Sequence, residues 1–279
     1  MIWLNGTLRP SEGAFSADDR GLLLGEAVFE TVLLKNGVAQ FWDAHFERLM
    51  ASCAYAGLET PYDSAHLQRA VSELAQKHDP EARQVLRITV TGGAGGRGLI
   101  ASQKVSPNWM LQLSAAPAPV ELWHLVDVPF IRDAHHITHK TTAYLDNILM
   151  RRAAIQAGGD EAILFNAHGD VACGAAGNLF IGYNNRILTP RLQDGALPGI
   201  IRQQILNLES IRVDGHHWQI SDAAISRETA IEAQFILLTN SVMEVVACAY
   251  NPPETRGTSK QQAQKMAVHL NDALPCFRT

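Results

Sequence analysis

The sequence predicts a mixed α+β and α/β protein of two domains, on three observations. Asn-Gly pairs separate apolar segments near the start, residues 42–53 carry apolar side chains at helical spacing, and a proline-interrupted run of small residues parts the chain at 114–120. The first feature marks hairpins, the second an amphipathic helix and the third an extended connection. The resulting division is a small N-terminal domain over 1–116, a linker over 117–121 and a larger domain over 122–279.

Taken in order, Ile2–Leu8 reads as paired strands broken at Asn5-Gly6, and Val28–Leu34 passes through Asn36-Gly37 into Val38–Phe41 as a second hairpin. From Trp42 onward, Phe46, Leu49, Met50 and Cys53 fall on one helical stripe and leave Glu47 and Arg48 beside it. Two strands follow, Val85–Thr91 and Trp109–Leu113. Between them lies Thr91-Gly-Gly-Ala-Gly-Gly-Arg-Gly98, which has too little side chain to pack and enough freedom to approach a ligand closely. Beyond the linker the pattern alternates: a helix from about Tyr144 to Ala157, strands near Ala162–Phe165 and Arg186–Leu188, a helix from Gly199 and a strand at Gln234–Leu238.

A chain of 279 residues has ample apolar sequence for a real core. Its net charge of −5 is spread along the sequence with no basic patch, which argues against a nucleic-acid partner. No apolar run approaches the roughly 20 residues that cross a bilayer, so no membrane partner is expected. Cys53, Cys173, Cys248 and Cys276 form no CxxC pair, and MIWLNGTLRP lacks the regions of a signal peptide. The expectation is a cytoplasmic, reduced enzyme or binding protein that takes a small molecule.

Several residues carry chemistry. Lys140 lies at a strand end in a His-rich segment, and a lysine that attacks a carbonyl must first lose its proton to desolvation or a neighbouring charge. Its alternative is an ordinary exposed lysine. His135, His136 and His139 form an HHxxH run without the acidic context of a zinc motif, so no metal is expected. Leu197-Pro-Gly-Ile-Ile-Arg202 opens a helix with Ile201, Ile205 and Leu208 on one face, and the unpaired N–H groups of a helix start suit a phosphate. Arg48 can meet two phosphate oxygens at once, although spacing alone also describes a solvated helix residue.

The order of these segments resembles the class IV aminotransferase and 4-amino-4-deoxychorismate lyase family, the fold-type IV pyridoxal-5′-phosphate (PLP) enzymes, over nearly the whole chain. Asp19-Arg-Gly-Leu-Leu-Leu-Gly-Glu-Ala-Val-Phe-Glu-Thr31 is similar to the family's DRG…GDGVFET entry and is followed by His45-Phe-Glu-Arg48-Leu. His139-Lys140-Thr-Thr-Ala-Tyr144-Leu-Asp-Asn147 resembles the lysine segment, Gly199-Ile-Ile-Arg202 the GITR segment, and Thr239-Asn-Ser241 the polar turn that completes a phosphate cup. The resemblance implies a two-domain fold like that of D-amino acid aminotransferase, PLP as cofactor and a homodimer. It further implies Lys140 as the Schiff-base lysine, with Thr31 a second catalytic candidate. Cofactor contacts would come from Arg48, Cys173, Asn178, Gly199, Ile200, Ile201, Thr239, Asn240 and Ser241. Gly95-Gly-Arg97-Gly-Leu resembles the GGRGY stretch of the lyases, which implies a substrate-carboxylate role for Arg97 or else a surface turn.

Several positions depart from the pattern: Ile201 stands for threonine, Leu99 for tyrosine and Gly25-Glu-Ala27 for GDG. One further departure matters most. Where relatives read VTEGxxxNxF, this chain reads Val171-Ala-Cys173-Gly-Ala-Ala-Gly-Asn178-Leu-Phe180. The family's glutamate pairs with the pyridine nitrogen, and a neutral thiol cannot hold that nitrogen protonated, so the ring becomes a poorer electron sink. Transamination suffers more from this than elimination of a good leaving group. The resulting expectation is a lyase forming 4-aminobenzoate and pyruvate from 4-amino-4-deoxychorismate, a step of folate synthesis. The alternatives are a branched-chain or D-amino acid aminotransferase, or a degenerate member that binds PLP weakly.

Overall fold

A computed structural model describes residues 1–76, 82–101, 105–132, 139–252 and 257–274, so His135, His136 and Cys276 lie outside the described residues. The chain forms two compact units: Met1–Pro117 with His139–Tyr144, and Ala118–Thr138 with Leu145–Thr279. The segment bearing Lys140, expected in the 122–279 domain, thus belongs to the first unit. Backbone pairing is the cause: Phe29 N–H donates to the Lys140 carbonyl at 2.9 Å, and Thr142 N–H donates to the Ala27 carbonyl at 2.9 Å.

The first unit contains β1 (Ile2–Leu4), β2 (Thr7–Arg9), α1 (Arg20–Leu24), β3 (Ala27–Lys35), β4 (Val38–Ala39), α2 (Trp42–Ala56), α3 (Ser64–Ala75), β5 (Gln84–Thr91) and β6 (Asn108–Ala115). Its strands make one antiparallel six-stranded sheet in the order β2-β1-β6-β5-β3-β4. Asn5 and Asn36 take positive φ in the two Asn-Gly turns, which is what a tight hairpin requires. Alternation along β3 then sorts the side chains. Val28, Val32 and Leu34 join Leu49 and Cys53 of α2 and Leu67 and Leu74 of α3 in the core, whereas Phe29 and Thr31 lie on the opposite face.

The second unit contains β7 (Leu122–Ile131), α4 (Leu145–Gln156), β8 (Glu161–Phe165), β9 (Val171–Gly174), β10 (Asn178–Tyr183), β11 (Arg186–Pro190), α5 (Ile200–Leu206), β12 (Ser210–Val213), β13 (His216–Ala223), α6 (Arg227–Ile231), β14 (Phe235–Asn240), β15 (Glu244–Tyr250) and α7 (Lys260–Ala273). A nine-stranded sheet runs β12-β13-β11-β10-β14-β15-β7-β8-β9. Only the β11·β13, β15·β7 and β7·β8 pairs are parallel, so the unit is α+β in character and the alternating strand–helix pattern was too simple. It missed β7, β9, β10, β12, β13 and β15, and three of these, β9, β10 and β15, are buried almost throughout. A strand covered on both faces loses the period of two that betrays it in sequence.

Candidate active site

In the first unit, Lys140 Nζ donates to the Tyr144 phenol oxygen at 2.9 Å. The same nitrogen stands 4.2 Å from the Phe29 ring centroid, and the Phe29 and Tyr144 rings meet edge to face at 5.0 Å. Arg87, directly opposite Thr31 in the β3·β5 ladder, places its guanidinium 3.9 Å from that same Phe29 ring. Its hydrogen bond goes to Thr89 Oγ1 at 3.2 Å, and burial holds its pKa below the ordinary arginine range. His139, next to Lys140, stacks on Tyr55 with centroids 4.1 Å apart. Lys140 therefore sits among aromatic rings beside a second cation, with no carboxylate bonded to it among the described residues.

Arg48 is not a solvated helix residue. It reaches Glu30 through Nε at 2.6 Å and a terminal nitrogen at 2.8 Å, while His45, one turn earlier on α2, contacts the same carboxylate through Nδ1 at 2.7 Å. Glu30 is fully buried. Burial alone would raise its pKa, but the hydrogen bonds from His45 and Arg48 outweigh it and hold the carboxyl down at about 2. Burial also lowers the His45 pKa and keeps the imidazole neutral. A carboxylate only accepts, so Nδ1 carries the hydrogen and Nε2, buried without a partner, presents its lone pair.

The glycine-rich loop is pinned rather than free. Arg20 pairs with Glu26 and donates to the carbonyls of Gly96, Gly98 and Leu99. Asp19 caps α1 and accepts from Thr91 and Asn108. Arg97 itself is exposed on that loop.

In the second unit, Asn178 lies directly across from Thr239 in the β10·β14 pair and donates to the Leu197 carbonyl at 2.9 Å. A Cβ at Gly199 would overlap Asn178 Oδ1, so glycine there lets the side chain lie against the start of α5. No side chain caps that helix start. Thr239 Oγ1 is buried without a partner, and Asn240 accepts from the N–H groups of Val242 and Met243 across the turn holding Ser241. The structure thus brings Asn178, Gly199 and Thr239 together around the α5 start, where Ile200 and Ile201 turn their side chains into the core.

Cys173 is buried on β9, and burial, with Glu161 nearby, pushes its thiol up to about 11 despite the opposing positive charge of Arg132. It is a neutral group. Glu161 is itself fully buried and raised by that burial; Arg151 at 2.9 Å and the N–H groups of Ala162 and Ala175 compensate it. Sequence reasoning missed Glu30, His45, Arg87, Tyr144 and Glu161. The i, i+3 pair His45/Arg48 on α2 was the available signal.

Among the described residues no His, Cys, Asp or Glu cluster is arranged to hold a metal ion, and no helix is long and apolar enough to cross a membrane. The chain is 26% identical to the aminodeoxychorismate lyase of Bacillus subtilis over 263 residues, covering 88% of this chain and 85% of that protein. It is equally 26% identical to the D-alanine aminotransferase of Bacillus licheniformis over 275 residues, covering 92% and 90%. A solved putative 4-amino-4-deoxychorismate lyase from Legionella pneumophila superposes with a TM-score of 0.82 at 25% identity, covering 94% of this chain and 96% of that one. Residues 27–249 match the family described as amino-transferase class IV. With its two-sheet fold and aromatic-lined lysine, the chain belongs to the class IV aminotransferase family of PLP-dependent enzymes.

Proposed function

We propose that the chain is a lyase that converts 4-amino-4-deoxychorismate to 4-aminobenzoate and pyruvate. The observation that carries this choice is the neutral, buried Cys173 at the position where the family pattern has a carboxylate. A thiol there supports an elimination over a transamination, because amine transfer leans harder on a protonated ring.

The residues present fit the cofactor on three counts. Lys140 has a phenol rather than a carboxylate as its bonding partner, Thr239 Oγ1 is a buried donor without an acceptor, and no side chain caps the start of α5. PLP supplies an aldehyde for a lysine amine and a ring that withdraws electrons from the substrate's amine-bearing carbon. Lys140 is proposed to carry it and to take the proton from that carbon. The backbone N–H groups of Ile200 and Ile201, the Asn178 side chain and the Thr239–Ser241 turn are proposed as phosphate ligands, with Gly199, whose own N–H donates to the Leu197 carbonyl, setting the helix start. Ile201 keeps the backbone donor of the threonine that it replaces and loses only the hydroxyl. Arg48 is proposed as a further phosphate ligand, since a guanidinium can meet two phosphate oxygens at once. Phe29 and Tyr144 are proposed to orient the Lys140 amine. Thr31 and Arg97 are proposed to meet the substrate, Arg97 through a carboxylate. The same proposal takes the enzyme to be a cytoplasmic homodimer in folate synthesis.

Amino-acid transfer is a second reading, supported by the similarity to D-alanine aminotransferase. Product analysis separates the two: pyruvate and 4-aminobenzoate without net amine exchange support the lyase, and a keto acid with pyridoxamine phosphate supports transfer. Protein supplied with PLP should gain a violet absorbance band that Lys140→Ala lacks. Protein that stays colourless overturns both and leaves a member that no longer binds the cofactor.

A further inference from the structure

The Lys140–Tyr144 hydrogen bond has a direction. Nζ is the donor and the phenol oxygen the acceptor, at 2.9 Å, so the phenolic hydrogen is turned to some other acceptor. Among the described residues no carbonyl or side chain takes it. Tyr144 is half-buried, which leaves its oxygen reachable, and its ring is held against Phe29 at 5.0 Å. Arg87 stands 3.9 Å from that Phe29 ring and Lys140 Nζ 4.2 Å from it, so the two cations are separated by no more than the sum of those distances. Neither is paired with a carboxylate among the described residues. A phenol that accepts from Lys140 and has its own proton undelivered, with its ring on the Phe29 ring that also holds Arg87, is arranged to give that proton up and have it replaced.

We propose that Tyr144 is the second proton carrier of this site, the acid that protonates the leaving group while Lys140 acts as the base. This rests on the lyase reading. The C–H bond at the amine-bearing carbon breaks and its proton goes to Lys140 Nζ, while its electron pair becomes the new ring double bond. The C–O bond to the enolpyruvyl group breaks, and that oxygen takes the phenolic proton of Tyr144. The phenolate recovers a proton from the Lys140 ammonium along the existing hydrogen bond, and the enol released rearranges to pyruvate. Protons and electrons balance without an oxidant or an external base.

The test uses PLP-loaded enzyme and substrate deuterated at the amine-bearing carbon, and reads deuterium washout into solvent beside pyruvate release. In Tyr144→Phe, pyruvate release should fall about 100-fold, the range of a lost general acid, while washout stays within about threefold and the violet band is unchanged. Washout and release falling together would mean that Tyr144 only positions Lys140, and an unchanged release would mean that it moves no proton; either overturns the proposal. If Tyr144→Phe does not fold by circular dichroism, the same partition is compared between Tyr144→His, which can transfer a proton, and Tyr144→Gln, which cannot. Equal partition in that pair also overturns it. Wild-type enzyme that exchanges amine but releases no pyruvate removes the lyase reading and the relay together, whereas a pyruvate-releasing wild type matched by Tyr144→Phe removes the relay alone.

Discussion

Replacing Glu30 by glutamine removes one charge from the best-buried ion cluster of the first unit and almost no volume. Glu30 joins β3 to α2 through Arg48 and His45, and its side chain is 1% exposed against 12% for Arg48, so solvent screening is slight. A carboxyl moved from 4.5 to about 2 on folding contributes roughly 3 kcal/mol of stability at neutral pH. The folded pKa is the depressed one. The contribution is therefore complete above the unfolded value of 4.5 and is lost as pH falls through the folded value of about 2. Deleting one member of a buried pair also strands its partner, a loss of about 3–5 kcal/mol in comparable cases. Urea unfolding of Glu30→Gln at pH 7 should show a deficit of about 3 kcal/mol, shrinking to about 1 kcal/mol at pH 3. A deficit below about 1 kcal/mol at pH 7, or one independent of pH over this window, would refute the idea that Glu30 is held ionised by Arg48 and His45.

Cys173→Glu should raise transamination relative to pyruvate release, as read by keto-acid formation, and should lower stability by about 1–3 kcal/mol because a larger group enters a buried position; unchanged partition would show that the missing carboxylate is not limiting. Gly199→Ala should weaken PLP binding at least tenfold in a spectroscopic titration, because its Cβ displaces Asn178 from the α5 start; an unaltered titration would remove Asn178 and Gly199 from the phosphate site.

The sequence by itself determined the local features: two Asn-Gly hairpins, the amphipathic helix carrying His45 and Arg48, the glycine-rich loop, and the lysine and phosphate-type segments in their family order. These are legible because turn chemistry, helical period and a helix start each act over a few residues. Only the tertiary structure decided which residues meet. Lys140 follows the linker in sequence yet joins the first unit, because its backbone hydrogen-bonds β3 more than a hundred residues earlier. Glu30, an ordinary strand residue in a linear reading, becomes the shared anchor of Arg48 and His45 because β3 packs under α2. Tyr144 and Arg87 acquire roles only once β5 and the lysine segment flank Phe29. Charge pairing and desolvation depend on distance in space, and spacing along the chain carries no record of that distance.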